Sequence, residues 1–346
     1  MEKQAITQLF RLTFGADPAS MQQLTGSGSN RAYFRITDSG GKTCIGVVGK
    51  DLDENKAFCT LTRLFGQYQL PVPELLATEN DYSAYLQSDL GTTALFDLLK
   101  QGRDSGGNYS DEEQALLHKA MQTLCLVQHQ AAHDEVYDAC YPLREMDRQS
   151  IHFDLNYFKY LYLKLTGTEF NEVKLQADFE QLAEDLLAVP EKGFQYRDYQ
   201  ARNIMVRDGQ FCLIDYQGGR KGPVYYDVAS FLYQASAHYS PTLRQQLFRT
   251  YLQTYSERNQ LQVQDIEADA TQKLRLFAFF RTLQVLGAYG FRGLWEKKAH
   301  FIQSIPPALA NLGDLLAEGA AQNYPYLQQI CHILAKGEGN KVATSS

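Results

Sequence analysis

The sequence predicts an α+β protein: a small antiparallel sheet in its amino-terminal part, followed by a larger, mainly helical part. Three observations carry this. Up to about residue 90 the apolar residues fall in short alternating runs broken by Gly, Pro, Asn and Asp, the period of strands. Beyond that, EEQALLHKAMQTLCLVQHQAA, LNYFKYLYLKL and VKLQADFEQLAEDLLAV repeat apolar residues at three- and four-residue spacing, as helices with one buried face do. Finally, FQYRDYQARNIMVRDGQFCLIDYQGGRKGPVYYDVASF, residues 194–231, breaks the helical pattern with a hairpin flanked by acidic and amide side chains.

Taken in order, LTGSGSNRAYFRIT places small residues between two apolar segments and returns to an alternating strand. Glycine removes the Cβ that would keep a backbone away from phosphate oxygens, so Gly26, Ser27, Gly28, Ser29 and Asn30 are candidates for covering a phosphate. No Gly-Lys-Ser/Thr follows, which excludes a Walker A loop. TCIGVVGKD is the next strand, and a helix begins near Asp53 with Glu54 in its first turn. In LPVPELLATENDYSAYLQSDLG, Pro71 and Pro73 restrict the chain before two short strands, which end in the connector Gln87, Ser88, Asp89 and Leu90. The helix TALFDLLK follows, then the surface loop GRDSGGNYSDEE, where Ser110 or Asp111 caps the next helix. The expected division is 1–90, 91–335 and a tail over 336–346, whose polar KGEGNKVATSS lacks periodicity and reads as a disordered tail or a linker to a further domain.

The chemistry lies in the third observation. Asp198 precedes Asn203 by five residues, and Asp215 ends the apolar strand FCLID twelve residues later. Between them NIMVRDGQFCLI is a hairpin turned at Asp208-Gly209, a strong short-range signal. Transfer of a γ-phosphoryl group is mostly positioning and charge neutralisation. It asks for one carboxylate beside the attacking hydroxyl and two oxygen ligands for magnesium. Asp198 suits the first task, Asn203 and Asp215 the second. Each residue alone is ordinary turn chemistry, but the ordered set around a hairpin, followed by Tyr226-Asp227-Val228-Ala229, is hard to obtain by accident.

With these residues in place, the chain resembles the aminoglycoside phosphotransferase and choline kinase-like superfamily, whose fold is related to that of protein kinases. RDYQARNIMV, LIDYQ and GPVYYDVASFL are most similar to bacterial kinases that phosphorylate the anomeric hydroxyl of N-acetylmuramate or N-acetylglucosamine. The resemblance implies a two-lobed kinase-like fold, ATP and Mg2+ as cofactors, and a small-molecule hydroxyl as acceptor. It implies Asp198 as catalytic base, Asn203 and Asp215 as metal ligands, and Asp227 as a brace on the catalytic loop. Asp89 and Leu90 fall in the hinge that meets the adenine edge. Tyr196 stands where the family usually has histidine, as a packing and hydrogen-bonding support. The family register puts Gly49 or Val48 at the place of the phosphate-binding lysine, and Lys50 reads as a solvated strand-end residue. In LRLFAFFRTLQVLGAYGFRGLWEKKAHFIQSIPPALANL, Arg281, Gln284 and Arg292 are polar groups among aromatics, suited to an acceptor with hydroxyl, amide or carboxylate groups. Arg202, beside the catalytic carboxylates, has two readings: a cation that steadies the transferred phosphate, or a surface charge.

Composition sets the outer bounds. A net charge of −7 without a Lys/Arg cluster argues against nucleic acid as partner, and no run of eighteen apolar residues is present to cross a membrane. Six cysteines without C-x-x-C pairing fit reduced thiols in a cytoplasm. His129 and His133 lie four apart with no third ligand nearby and read as structural. Two alternatives stay open: a kinase for another acceptor, such as a choline-like alcohol or an aminoglycoside, and a nucleotide- or sugar-sensing module without turnover.

Overall fold

Short alternating segments at the amino-terminal end pair into one sheet, whose strands Thr43–Val48 and Ala84–Ser88 are buried on both faces. In this computed structural model, which describes residues 2–24 and 31–337, helix α1 (Glu2–Phe14) precedes strands β1 (Ser20–Leu24), β2 (Ala32–Thr37) and β3 (Thr43–Val48). Helix α2 (Leu52–Gln67) and strands β4 (Leu75–Thr78) and β5 (Ala84–Ser88) follow. The five strands form an antiparallel sheet in the order β1-β2-β3-β5-β4. On one face Ile6, Leu9 and Phe10 of α1 pack on Phe34, Ile36, Cys44, Ala84 and Leu86. Burial of each large side chain there contributes about 1.5–3 kcal/mol. On the other face Phe58 of α2 stacks on Tyr85 at 5.0 Å and on Tyr216 at 5.2 Å. The start of α2 is fixed by Asp51, whose carboxylate accepts the Glu54 N–H at 3.0 Å.

The helical remainder begins with α3 (Leu95–Leu98), α4 (Lys100–Asp104), α5 (Asp111–Gln130) and α6 (Asp134–Asp138). It continues with α7 (Arg148–Phe158), a π-helical turn at Lys159–Leu163, and α8 (Glu172–Leu187). Four short strands come next, β6 (Lys192–Gln195), β7 (Ile204–Arg207), β8 (Gln210–Leu213) and β9 (Arg220–Pro223). The chain closes with α9 (Tyr225–Leu232), α10 (Pro241–Asn259), α11 (Val263–Tyr289), a second π-helical turn at Gly290–Trp295, α12 (Ala299–Ala317) and α13 (Pro325–Ala335). Two compact units result. The first comprises Met1–Leu98, His129–Arg144 and Tyr196–Arg220; the second Leu99–Gln128, Glu145–Gln195 and Lys221–Ser346. The segment carrying Asp198, Asn203 and Asp215 thus shares a unit with the sheet.

In the second unit α11 packs against α7, α9 and α12. Glycine permits its closest approach: a Cβ at Gly287 would stand 2.8 Å from the Phe158 nitrogen, and one at Gly290 only 1.7 Å from the Leu161 carbonyl oxygen. Both positions adjoin the π-helical turns, a distortion that recurs at functional sites. Helix α12 runs through Pro306 and Pro307. Of the expected tail, Lys336 and Gly337 close the end of α13, with Gly337 at φ 72° and its N–H on the Leu334 carbonyl. The rest of the tail lies outside the described residues.

Candidate active site

The hairpin β7–β8 sets the dimensions of the site. Asp208 and Gly209 both adopt positive φ, 51° and 72°, the two-residue turn that matches strand twist. Arg207 therefore faces Gln210, and the ladder runs back to Ile204 opposite Leu213. Just beyond that pair the Ile214 N–H donates to the Asn203 carbonyl at 3.0 Å, which brings Asn203 and Asp215 together. Two backbone bonds anchor the hairpin: Leu213 N–H to the Pro71 carbonyl at 2.7 Å and Val206 N–H to the Thr93 carbonyl at 2.9 Å.

Asn203 joins the three predicted residues. Its Nδ2 donates to the Asp198 carbonyl at 2.8 Å and lies 3.4 Å from Asp215 Oδ2. Those bonds use the nitrogen end of a 7 % exposed amide and leave its oxygen as the end for a cation. The Asp198 side chain is exposed, with Gln200 Nε2 at 3.3 Å from Oδ1. Arg197 and Asp215 hold left-handed conformations at φ 74° and 69°, a strain of about 1–3 kcal/mol each that only a well-tied surround maintains. Tyr196 supplies part of that surround. It is 1 % exposed, its hydroxyl donates to the Ile214 carbonyl, and its ring stands edge-on to Tyr199 at 5.5 Å and Tyr216 at 6.3 Å. Burial pushes its phenol well above the usual value, which keeps it a donor.

Three residues of the site escaped the sequence reading in this role: Gln217, Glu54 and Arg31. Gln217 Nε2 donates to Asp215 Oδ1 at 2.8 Å and lies 3.3 Å from Glu54 Oε1, and Glu54 Oε1 is 2.6 Å from Arg31 Nη2. A polar chain thus runs from Arg31, just before β2, through Glu54 of α2 to Asp215. No local pattern announces it: Asp215 is left-handed at φ 69° and Gln217 begins a turn, so strand alternation does not pair their side chains. Asp215 opens to solvent on one side, but dense protein around the rest of its carboxylate governs its proton affinity. Burial raises its pKa, Asp198 adds to the rise, and the Gln217 bond and the Arg31 charge oppose it.

The donors present fit a magnesium–nucleotide. Among the described residues no group of three His, Cys, Asp or Glu side chains is placed to hold a metal, so the ion here would combine Asp215 with amide oxygens, phosphate and water, as magnesium does. Gln217 Oε1 is buried without a hydrogen-bond partner among the described residues, an oxygen suited to such an ion. On β5, Gln87 Oε1 is likewise buried and, among the described residues, unpartnered, an acceptor suited to an exocyclic amine. The Asp89 carboxylate is occupied: Arg35 grips it at 2.6 and 3.0 Å, and the Gly91 N–H reaches it at 2.9 Å. Its carbonyl accepts Arg207 at 3.0 Å. Leu90 beside it is half-buried, Arg202 is exposed on the 3-10 turn Ala201–Asn203, and Lys50 is exposed. Gly26, Ser27, Gly28, Ser29 and Asn30 lie outside the described residues.

In the second unit Asp227 is fully buried on α9, 3.4 Å from Gln128 Nε2. Gln128 Nε2 also donates to the Val224 carbonyl at 2.9 Å, and its Oε1 accepts the Tyr251 hydroxyl at 2.7 Å. Arg281 and Gln284 meet: Gln284 Oε1 accepts Arg281 Nη1 at 2.8 Å and the Tyr226 hydroxyl at 2.6 Å. Arg292 stands apart from them, tied to Glu296 at 2.8 and 2.9 Å.

Residues 20–261 match the phosphotransferase enzyme family. The chain belongs to that family. It is 30% identical over 234 residues to an N-acetylmuramate/N-acetylglucosamine kinase of Neisseria meningitidis serogroup B, a match covering 65% of this chain and 62% of that relative's length. It is 25% identical over 335 residues to the kinase of the same name from Pseudomonas putida, covering 90% of this chain and 93% of the relative. Among solved structures, choline kinase LicA from Streptococcus pneumoniae superposes with a TM-score of 0.59 at 13% identity, covering 90% of this chain and 99% of that one. That likeness shows the kinase-like α+β fold.

Proposed function

We propose that the protein is an ATP- and magnesium-dependent small-molecule kinase whose acceptor is the anomeric hydroxyl of an amino sugar of the N-acetylmuramate or N-acetylglucosamine class. The observation that carries the reading is the meeting of Asp198, Asn203 and Asp215 through one amide, on a backbone held left-handed at Arg197 and Asp215. The relatives' names supply the acceptor class.

When bound, the magnesium–nucleotide supplies the transferable phosphoryl group and the charge that neutralises its oxygens. Asp198, exposed at the end of its loop, orients the acceptor hydroxyl and takes its proton as the new bond forms. Asn203 Oδ1 and Asp215, with Gln217 Oε1 beside them, hold the ion. Asp227 braces the catalytic loop, and Arg281 with Gln284 and Arg292 are the acceptor-recognition residues in this reading. All six cysteines are free thiols, and burial raises Cys44 to about 11 and Cys59 to about 12, which suits a reducing cytoplasm. No helix among the described residues is long and apolar enough to cross a membrane.

The test is phosphoryl transfer from labelled ATP with magnesium to a panel of N-acetylmuramate, N-acetylglucosamine, other hexoses, choline and kanamycin. Labelling of an N-acetylated sugar at its anomeric oxygen, lost in Asp198→Ala, is the expected result. Transfer to choline or kanamycin instead overturns the acceptor. Nucleotide binding with no transfer to any acceptor favours the sensing module.

A further inference from the structure

We infer that Arg35 is a positioning residue for nucleotide binding: acting through Asp89, it holds the connector after β5 in the shape that presents the Leu90 backbone to a base. The inference rests on the kinase reading above and gives a role to a residue that reading leaves unassigned.

Arg35 and the segment holding Asp89 come from strands that are not neighbours. In the sheet β3 lies between β2 and β5, with Arg35 facing Ile45 and Ile45 facing Gln87. Residues that face one another across a ladder project from the same face, so Arg35 starts in the row that ends at Gln87, two residues before Asp89. Its guanidinium crosses β3 and forks onto the carboxylate, Nε to Oδ2 at 2.6 Å and Nη2 to Oδ1 at 3.0 Å. Such a bidentate pair adds direction as well as strength. Nη2 also donates to the Gly91 carbonyl at 2.9 Å, and the Gly91 N–H donates to Asp89 Oδ1 at 2.9 Å. Little water reaches the pair: the arginine side chain is 21% exposed and the aspartate 7%. Burial alone would raise the pKa of this carboxyl, yet the Arg35 bond, the Gly91 N–H and the Thr43 hydroxyl together bring it below the ordinary value.

What the clamp fixes is backbone. Gly91 turns the chain at φ 84°, a conformation glycine adopts without strain. The Asp89 carbonyl accepts Arg207 Nη1 at 3.0 Å from the end of β7. Asp89 and Gly91 are therefore held on either side of Leu90. Leu90 itself is half-buried, and among the described residues neither its N–H nor its carbonyl has a hydrogen-bond partner. Backbone groups shielded from water are ordinarily paired, so an open donor and acceptor on a held residue suit a planar ligand edge that offers one acceptor and one donor. A purine ring nitrogen beside an exocyclic amine is such an edge. Holding the segment in advance removes the entropy loss of ordering it when the base arrives. The sequence put Asp89 among the nucleotide-binding residues. Its carboxylate is taken up by Arg35 and Gly91, so its contribution is to the shape of the connector and reaches the ligand through Leu90.

The test is equilibrium binding of adenosine, ADP and ATP, with magnesium, to the full chain and to Arg35→Met, Asp89→Asn and the double variant. Arg35→Met is expected to weaken all three ligands by the same factor, because the base is common to them. That factor is about tenfold to hundredfold, the range for having to order one or two backbone residues on binding. Asp89→Asn should match it, and the double variant should lose no more than the weaker-binding single variant, since the two residues act as one device. In turnover the loss falls on KM for ATP rather than on kcat. If Arg35→Met fails to fold, Arg35→Lys, which keeps the charge without the fork, is read by the same criteria with a smaller factor. A loss that grows from adenosine to ADP to ATP overturns the inference and makes Arg35 a phosphate contact. Unchanged adenosine affinity in a folded variant overturns it, as do additive losses in the double variant. A fall in kcat as large as the fall in affinity also overturns it and makes the pair a scaffold contact. If the wild-type chain binds none of the three, the kinase reading and this inference fall together, whereas wild-type binding indifferent to Arg35 removes only the latter.

Discussion

The segment from Tyr196 to Gln217 and the helix α11 with its π-helical end achieve close packing by opposite means. In the first, polar side chains at fixed spacing reach one another across a hairpin. In the second, side chains are missing where two backbones must touch, at Gly287 and Gly290. Hydrogen bonds between distant residues impose a pattern of residue types in the chain. A close approach imposes only the absence of a Cβ, and a glycine in a helix carries no indication of what it faces. The first region is therefore specified by what is present and tolerates little chemical change. The second is specified by volume and tolerates little addition.

The sharpest way to break this contrast is Asp198→Ala. Turnover should fall about 10²- to 10⁴-fold, the range for a lost general base, while ATP affinity and the unfolding midpoint stay near wild type. A variant that unfolds instead would make the segment structural first and chemical second. Gly290→Ala should do the reverse. A Cβ 1.7 Å from the Leu161 oxygen forces backbone movement, with an expected cost of about 1–3 kcal/mol in urea unfolding. Unchanged stability there would show that the π-helical turns yield easily.

Gln217→Leu sharpens the comparison within the first region by removing an amide that touches Asp215 without changing charge. The magnesium concentration for half-maximal rate should rise about tenfold, as for partners of metal ligands generally, and ATP-independent stability should move little. The smallest effect concerns Asp215 itself. Its folded-state pKa is raised, so the folded chain holds that proton more tightly than the unfolded one, and its ionisation costs stability as pH rises through the ordinary carboxylate range. Without metal, Asp215→Asn should melt higher than wild type at neutral pH, by about 1–2 °C because solvent access screens the charge. The difference should vanish at acid pH, as read by a melting curve at each pH.

These contrasts also explain what could be read from the chain. The Asp208-Gly209 turn, the strands around it and the order Asp198, Asn203, Asp215 were legible because local turn chemistry and fixed spacing encode them. The helical character of the remainder followed from its apolar period. Gln217 was overlooked because an amide two residues past a carboxylate has no local signature. The pairing of Arg31 with Glu54 joins the start of β2 to the first turn of α2, more than twenty positions apart, which nothing local encodes. The occupied state of Asp89 arises the same way, from Arg35 across the sheet. Helix α1 carries Ile6, Leu9 and Phe10 at helical spacing on one face, and that face meets the sheet.

The thiols offer a practical opening. Burial raises Cys59, Cys140 and Cys212 to about 12 and Cys44 to about 11, so at neutral pH scarcely any thiolate is available to an alkylating reagent. A cysteine introduced at Asp208, on the exposed tip of the hairpin, would take a maleimide dye well ahead of the native six. A fluorophore there would sit one short strand from Asn203 and report on occupancy of the site without removal of a single native cysteine.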